Sequence, residues 1–129
     1  GLPYVNVSVL EMSGDRLLLG TRSGLYYSDD QAETWTACEG VYPLEIAAIE
    51  SSLEGAPWLY AADSLVGYIF VSQDNGLTWE TLDVGVSLSK VSSFSVTSSG
   101  HLYAGTLAEG VVRIILPSTA QDSTVIARK

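Results

Sequence analysis

Alternating apolar and polar residues, in short runs separated by small turns, predict that most of the chain forms β-strands. The segments YVNVSVLEM from Tyr4 and KVSSFSVTSS from Lys90 show this alternation. A third segment, LEIAAIESS from Leu44, is less regular, because its isoleucines and the leucine that follows also fit one face of a helix. The pattern therefore predicts an all-β fold and leaves a helix open at this one place.

The same order of short strands recurs three times along the chain. The repeated segments are RLLLGTRSGLYYS from Arg16, WLYAADSLVGYIFVS from Trp58 and HLYAGTLAEGVVRII from His101. Their central glycines, Gly24, Gly67 and Gly110, stand 43 residues apart in both steps. A period near this length, with four strands in each copy, is typical of a β-propeller blade. We therefore predict three four-stranded antiparallel blades, at residues 1–40, 41–84 and 85–129.

Length and charge narrow the classes of function. The chain has 129 residues, the size of a single domain, and its 15 acidic and 6 basic residues give a net charge of -9. So acidic a chain is expected to avoid nucleic acid and anionic membrane surfaces. Cys38 and His101 are the only cysteine and histidine, which excludes an internal disulfide and the common zinc ligand sets. The sequence thus predicts no metal site and no cofactor.

A polar motif follows the third predicted strand of each copy. It reads SDDQAETW from Ser28, SQDNGLTW from Ser72 and STAQDSTV from Ser118. The Asn-Gly pair of the second copy suits a tight turn, and the aspartate and hydroxyl side chains can form hydrogen bonds with the backbone of that turn. We therefore interpret the motif as a hairpin with a structural role, joining the third and fourth strands of a blade.

The motif resembles the Asp-box, or bacterial neuraminidase repeat, of the pattern Ser-x-Asp-x-Gly-x-Thr-Trp, which occurs in sialidase-like, sortilin-type and photosystem-assembly-factor propellers. The matching residues are Ser28, Asp30, Thr34 and Trp35 in the first copy and Ser72, Asp74, Gly76, Thr78 and Trp79 in the second. The resemblance implies a β-propeller whose Asp-boxes lie on the rim away from the ligand face. It also implies an extracellular or periplasmic location.

In the propellers that the chain resembles, ligands bind on the top face, where the loops after the second and fourth strands of each blade lie. Candidate binding residues in these loops are Arg22, Tyr42, Asp63 and Glu109. Sialidases hold their substrate with three converging arginines, whereas the four arginines of this chain fall on different predicted elements. These are Arg16, Arg22, Arg113 and Arg128. Sialidase activity is therefore not expected.

Two functions of different class remain open. The first is a non-catalytic ligand-binding or scaffold module that recognises carbohydrate or protein on its top face. The alternative is a glycoside hydrolase-like, sialidase-related enzyme whose site forms across the assembled propeller, for which Asp63 and Glu109 offer two carboxylates in adjacent blades. A deep polar pocket with two close carboxylates would favour the enzyme, and a shallow or plugged channel would favour the module.

Three blades are too few to close a ring, because propellers typically have four to eight. The two open ends would expose apolar sheet faces of a size that soluble monomers avoid. The sequence therefore predicts a homodimer in which two chains close one six-bladed propeller, blade three of each chain meeting blade one of the other. The competing interpretation is that the chain is a segment of a longer propeller.

Overall fold

The computed structural model describes residues 6–41, 45–51, 58–65, 67–82, 91–97, 101–115 and 125–128. Within these ranges the chain forms twelve β-strands in three antiparallel sheets, which we name blades one, two and three in chain order. Blade one contains β1 (Val7–Ser13), β2 (Arg16–Thr21), β3 (Gly24–Ser28) and β4 (Thr36–Ala37). Blade two contains β5 (Ile46–Ser51), β6 (Leu59–Asp63), β7 (Ile69–Ser72) and β8 (Glu80–Leu82). Blade three contains β9 (Val91–Val96), β10 (His101–Thr106), β11 (Val111–Ile115) and β12 (Val125–Arg128).

The strands of each blade lie side by side in the order of the sequence. The prediction of an all-β fold made of four-stranded, propeller-type blades is therefore confirmed. The segment from Leu44, whose apolar spacing also fits a helix, contains strand β5. The inner strands β1, β5 and β9 contact one another across the blades, with β5 in the middle. No helix in the described part of the chain has the length and hydropathy needed to cross a membrane.

A β-bulge in the inner strand explains the helix-like spacing of that segment. The register of β5 against β6 shifts between Ile46 and Ala48, which adds one residue to β5. Ile46 and Ile49, three positions apart, therefore lie on the same side of the sheet and pack in one core. The pairing of β1 with β2 and that of β9 with β10 show the same shift at the same end of the inner strand.

Two apolar cores hold the sheets together, and both lie between blades. Alternation along β6 directs Leu59 and Ala61 toward blade one, and Tyr60 and Ala62 toward blade three. The first core consists of Leu18, Leu25, Cys38, Ile46, Ile49, Leu59, Ala61, Phe70 and Trp79. The second consists of Ala48, Tyr60, Ala62, Ile69, Val71, Val91, Leu102, Ala104, Val112 and Ile114. Blade two is thus packed on both faces.

Four terms describe the surfaces of this arrangement. The front face of a blade points toward the next blade in chain order, and the back face is the opposite one. The top rim is the end of the sheets that carries the loops after β2, β6 and β10. The bottom rim carries the hairpins after β3 and β7, which we name the first box hairpin (28–35) and the second box hairpin (72–79). The third predicted hairpin, from Ser118, lies outside the described residues.

Candidate functional site

The two box hairpins of the bottom rim share one hydrogen-bond pattern. In the second, the Ser72 hydroxyl donates to Asp74 Oδ1 at 2.8 Å and accepts from the Gly76 N–H at 2.9 Å. Asp74 also accepts from the Thr78 N–H at 2.9 Å and from the Thr78 hydroxyl at 2.5 Å. The first box hairpin repeats all four bonds with its equivalent residues. Each hairpin therefore uses its serine, aspartate and threonine to close its own turn.

Hydrogen bonding also keeps the hairpin carboxylates ionised. The hydroxyl and N–H of Thr34 lower the pKa of Asp30 to about 2. For Asp74, desolvation by burial raises the pKa, but the hydrogen bonds from Thr78 outweigh it, so the pKa is lowered overall. Because both pKa values lie below those of the unfolded chain, these bonds stabilise the fold above the ordinary aspartate pKa, and this stabilisation is lost as the pH falls through the lowered pKa of each aspartate.

Arg16 connects the two box hairpins. Its guanidinium forms a bidentate ion pair with Asp29, at 2.7 and 2.8 Å, and donates to the Asn75 carbonyl at 3.0 Å. It also lies over the Tyr27 ring, 4.9 Å from its centre. The hydrogen-bonded pair raises the pKa of Arg16 and lowers that of Asp29. An arginine engaged in this way on the bottom rim does not converge with Arg22 on the top rim.

We expect Asp74→Ala to lower the free energy of unfolding by about 1–3 kcal/mol, because the turn loses three hydrogen bonds to an ionised acceptor. Asp74→Asn is the matched control, since its amide oxygen can still accept from the Thr78 N–H, and it should lose less. Urea unfolding measures both changes. Equal losses for the two variants would contradict the role of the ionised carboxylate.

The loops of the top rim are closed by the last residue of the second strand. The Thr21 and Thr106 hydroxyls each donate to the carbonyl of the glycine that ends the loop, both at 2.9 Å. Asp63 occupies the equivalent position in blade two, and its Oδ2 accepts from the Gly67 N–H at 3.2 Å. The Asp63 side chain is fully buried. The Asp63 carboxylate, predicted as a binding group, therefore helps to close its own loop.

The other predicted binding residues occupy separate places. Arg22 is exposed, and its Nε lies 3.7 Å from Glu45 Oε2 at the start of blade two. Glu109 is half-buried in the loop of blade three, where its N–H donates to the Thr106 hydroxyl at 2.8 Å. Tyr42 lies outside the described residues. The roles predicted for these residues in ligand binding remain predictions.

A cleft of about 410 Å³ opens on the top rim, where the loops of blades two and three meet. The residues that line it are Glu45, Ala47, Ser64, Leu65, Val91, Ser92 and Leu107. Leu65 and Leu107 are 63% and 75% exposed, although leucine is usually buried. Glu45 is the one ionisable residue among the described residues of this lining, and its carbonyl accepts from the Ser64 N–H at 2.9 Å. The cleft therefore offers an apolar surface with a polar margin.

Sequence reasoning did not single out this cleft. Its two leucines stand in the loops ADSLVG and TLAEG, whose charged side chains are the candidate binding residues predicted from the sequence. The signal was an apolar side chain in a predicted turn, a position that water normally surrounds. Among the described residues, no group of three or more histidine, cysteine, aspartate or glutamate side chains could hold a metal ion.

Comparison with solved structures relates the chain to two propeller proteins. An ancestral GH74 enzyme matches with a TM-score of 0.73 and 20% identity, over 95% of this chain and 18% of that one. YCF48 from Cyanidioschyzon merolae matches with a TM-score of 0.57 and 10% identity, over 95% of this chain and 45% of that one. The chain thus spans less than half the length of either protein. No family model and no curated protein matches the sequence. The predicted resemblance to propeller repeats is confirmed at the level of the fold, and the chain is a set of β-propeller blades.

Proposed function

We propose that the chain is a non-catalytic propeller module that binds a protein partner through the top-rim cleft. The exposure of Leu65 and Leu107 beside the same cleft carries the proposal. Burying these two exposed leucines in an interface would favour binding by about 1.5–3 kcal/mol for each side chain that is fully buried. An apolar segment of a partner protein supplies matching side chains for this surface.

The composition of the cleft favours a protein over a glycan as the ligand. Sugar rings are commonly held by aromatic faces and by several hydrogen-bonding side chains, and the described residues that line the cleft include no aromatic one. The polar side chains among these described residues are Glu45, Ser64 and Ser92. Glu45 also lies beside Arg22, which offsets its charge.

The same lining argues against the glycoside hydrolase alternative, which needs two carboxylates on either side of the scissile bond. Among the described residues of the lining, Glu45 supplies one carboxylate, and the Asp63 carboxylate accepts a hydrogen bond within its own loop. Burial and the neighbouring charge of Glu11 raise the pKa of Glu50, as in many catalytic acids. Ala47, near the start of β5, lines the cleft, whereas Glu50 lies near the other end of the strand. Glu50 and its neighbour Glu11 are therefore not part of the cleft.

Peptide display tests the proposal. Linear peptides selected on the purified chain should contain an apolar segment, and Leu107→Asp should weaken their binding at least about tenfold, because a charge replaces the leucine in the interface. Leu77→Asp is the control, since Leu77 is also an exposed leucine but lies in the second box hairpin on the bottom rim. It should leave the binding unchanged.

Two results would overturn the proposed function. One is binding on a glycan array that Leu107→Asp does not affect, together with no peptide selection. The other is release of reducing sugar from a panel of polysaccharides that Glu45→Gln abolishes, which would establish the hydrolase alternative. Both assays use the same purified chain.

A further inference from the structure

The back face of blade one carries apolar residues at positions that are buried or partly buried in the other two blades. Val7, Ile46 and Val91 are equivalent, because each pairs with the last residue of the second strand of its blade. Leu10 and Ile49 are equivalent three positions further along. Ile46, Ile49 and Val91 are buried in the cores between blades, whereas Val7 and Leu10 are 56% and 58% exposed. The back face of blade one thus repeats the apolar pattern of a packed face, and this pattern is exposed in the structure.

The first box hairpin shows the same difference. Trp79 of the second hairpin packs in the core between blades one and two and is 3% exposed. Trp35, the equivalent residue of the first hairpin, is only half-buried. Met12, on the side of β1 that Leu10 occupies, is also an exposed large apolar residue. Blade two contacts blade one through its inner strand and its box hairpin. The same two elements of blade one therefore carry equivalent apolar side chains on its back face.

The front face of blade three carries the matching surface. Tyr103 and Val111 stand where blade two has Tyr60 and Ile69, which pack against blade three. Ile69 is buried, whereas Val111 is 47% exposed. Arg113 lies on the same face, and its Nε is buried without a hydrogen-bond partner among the described residues. This face thus repeats the positions of Tyr60 and Ile69 by which blade two holds its neighbour, whereas Arg113 stands where blade two has the buried Val71.

We propose that the front face of blade three binds the back face of blade one of a second copy of this chain, and that two copies close a six-bladed ring. The contact joins two different surfaces, so repeating it gives a closed ring only if the rotation from one copy to the next divides a full turn. Propellers typically have four to eight blades, and six is the only multiple of three in that range. Two copies therefore satisfy both open faces of each chain at once.

Light scattering of the purified 129-residue chain over about a hundredfold range of concentration tests the proposal. We expect twice the 13.7 kDa mass of one chain, with a melting temperature that rises with protein concentration. Leu10→Glu on the back face and Val111→Glu on the front face should each shift the species to the single-chain mass. Both side chains are exposed in the single chain, so strand content measured by circular dichroism should be retained.

A control variant and a mixture of the two interface variants test which faces of the copies are in contact. Leu77→Glu, on the bottom rim, should keep the double mass. Mixing Leu10→Glu with Val111→Glu should restore a two-chain species, because the front face of the first and the back face of the second are both intact. A folded wild-type chain at 13.7 kDa at every concentration would overturn the proposal. So would a dimer that Val111→Glu does not weaken, since a back-to-back pair leaves the front face unused.

Discussion

Replacing Trp79 with alanine is expected to lower the free energy of unfolding by about 3–5 kcal/mol, the range for removing a large aromatic side chain from a core. The ring is 3% exposed and packs with Cys38 of blade one and Phe70 of blade two. Its Nε1–H donates to the Gly76 carbonyl at 3.0 Å, so the variant also loses a hydrogen bond inside the second box hairpin. One side chain thus supports the hairpin and the contact between two blades.

Urea unfolding monitored by circular dichroism measures this loss. Leu77→Ala is the matched control, because Leu77 lies in the same hairpin with an exposed side chain. Its effect should stay within about 0.5 kcal/mol, as at most surface positions. If Trp79→Ala cost no more than Leu77→Ala, the core between blades one and two would not depend on the indole, contrary to the packing described above.

The same core suppresses the reactivity of the Cys38 thiol by burying it. Burial raises the pKa of its thiol to about 12, so the thiolate is absent at neutral pH. The thiol therefore contributes as a small apolar group beside Trp79. A lone cysteine in the sequence excluded a disulfide, but its protonation depends on neighbours from blade two that are distant in the chain.

The fold could be predicted from the sequence because its signals are local and repeated. Alternating residues define the strands, and the side chains of the box hairpins accept hydrogen bonds from backbone N–H groups within four positions along the chain. The β-bulge was harder to foresee. It places Ile46 and Ile49 three residues apart on one face, a spacing that also fits a helix. The place of the segment in the repeat favours a strand, and its pairing with β6 confirms it.

The candidate site was predicted less well, for a physical reason. The charge of Asp63 and its place in a top-rim loop favour a binding role, yet the equivalent positions Thr21 and Thr106 show that this place in the repeat closes the loop. The threonines at the same position of the other two copies indicate that structural role. The cleft with Leu65 and Leu107 depends on how the loops of two blades meet, which no single segment determines.

Gly40→Ala is expected to destabilise the chain by about 3 kcal/mol or more, through the backbone that joins blades one and two. Gly40 has a φ of 87°, and a Cβ built on it would lie 1.9 Å from the Trp79 carbonyl oxygen. A backbone oxygen cannot rotate away as a flexible side chain can. The two hydrogen bonds that Glu39 makes with the second box hairpin, at 2.9 and 3.3 Å, would have to lengthen or break.

Gly14→Ala separates the effect of contact from that of backbone conformation. Gly14 has a φ of 61°, also in the left-handed region, but a Cβ there would meet nothing within 4 Å. It should therefore show the conformational cost alone, about 1–2 kcal/mol, and the difference between the variants in urea unfolding reports the clash with Trp79. Equal losses would mean that the chain between the blades shifts without cost. A larger loss of unfolding free energy for Gly40→Ala than for Gly14→Ala would instead show that the backbone here cannot shift without cost. The hydrogen bonds of Glu39 with the second box hairpin would then fix the position of blade two against blade one.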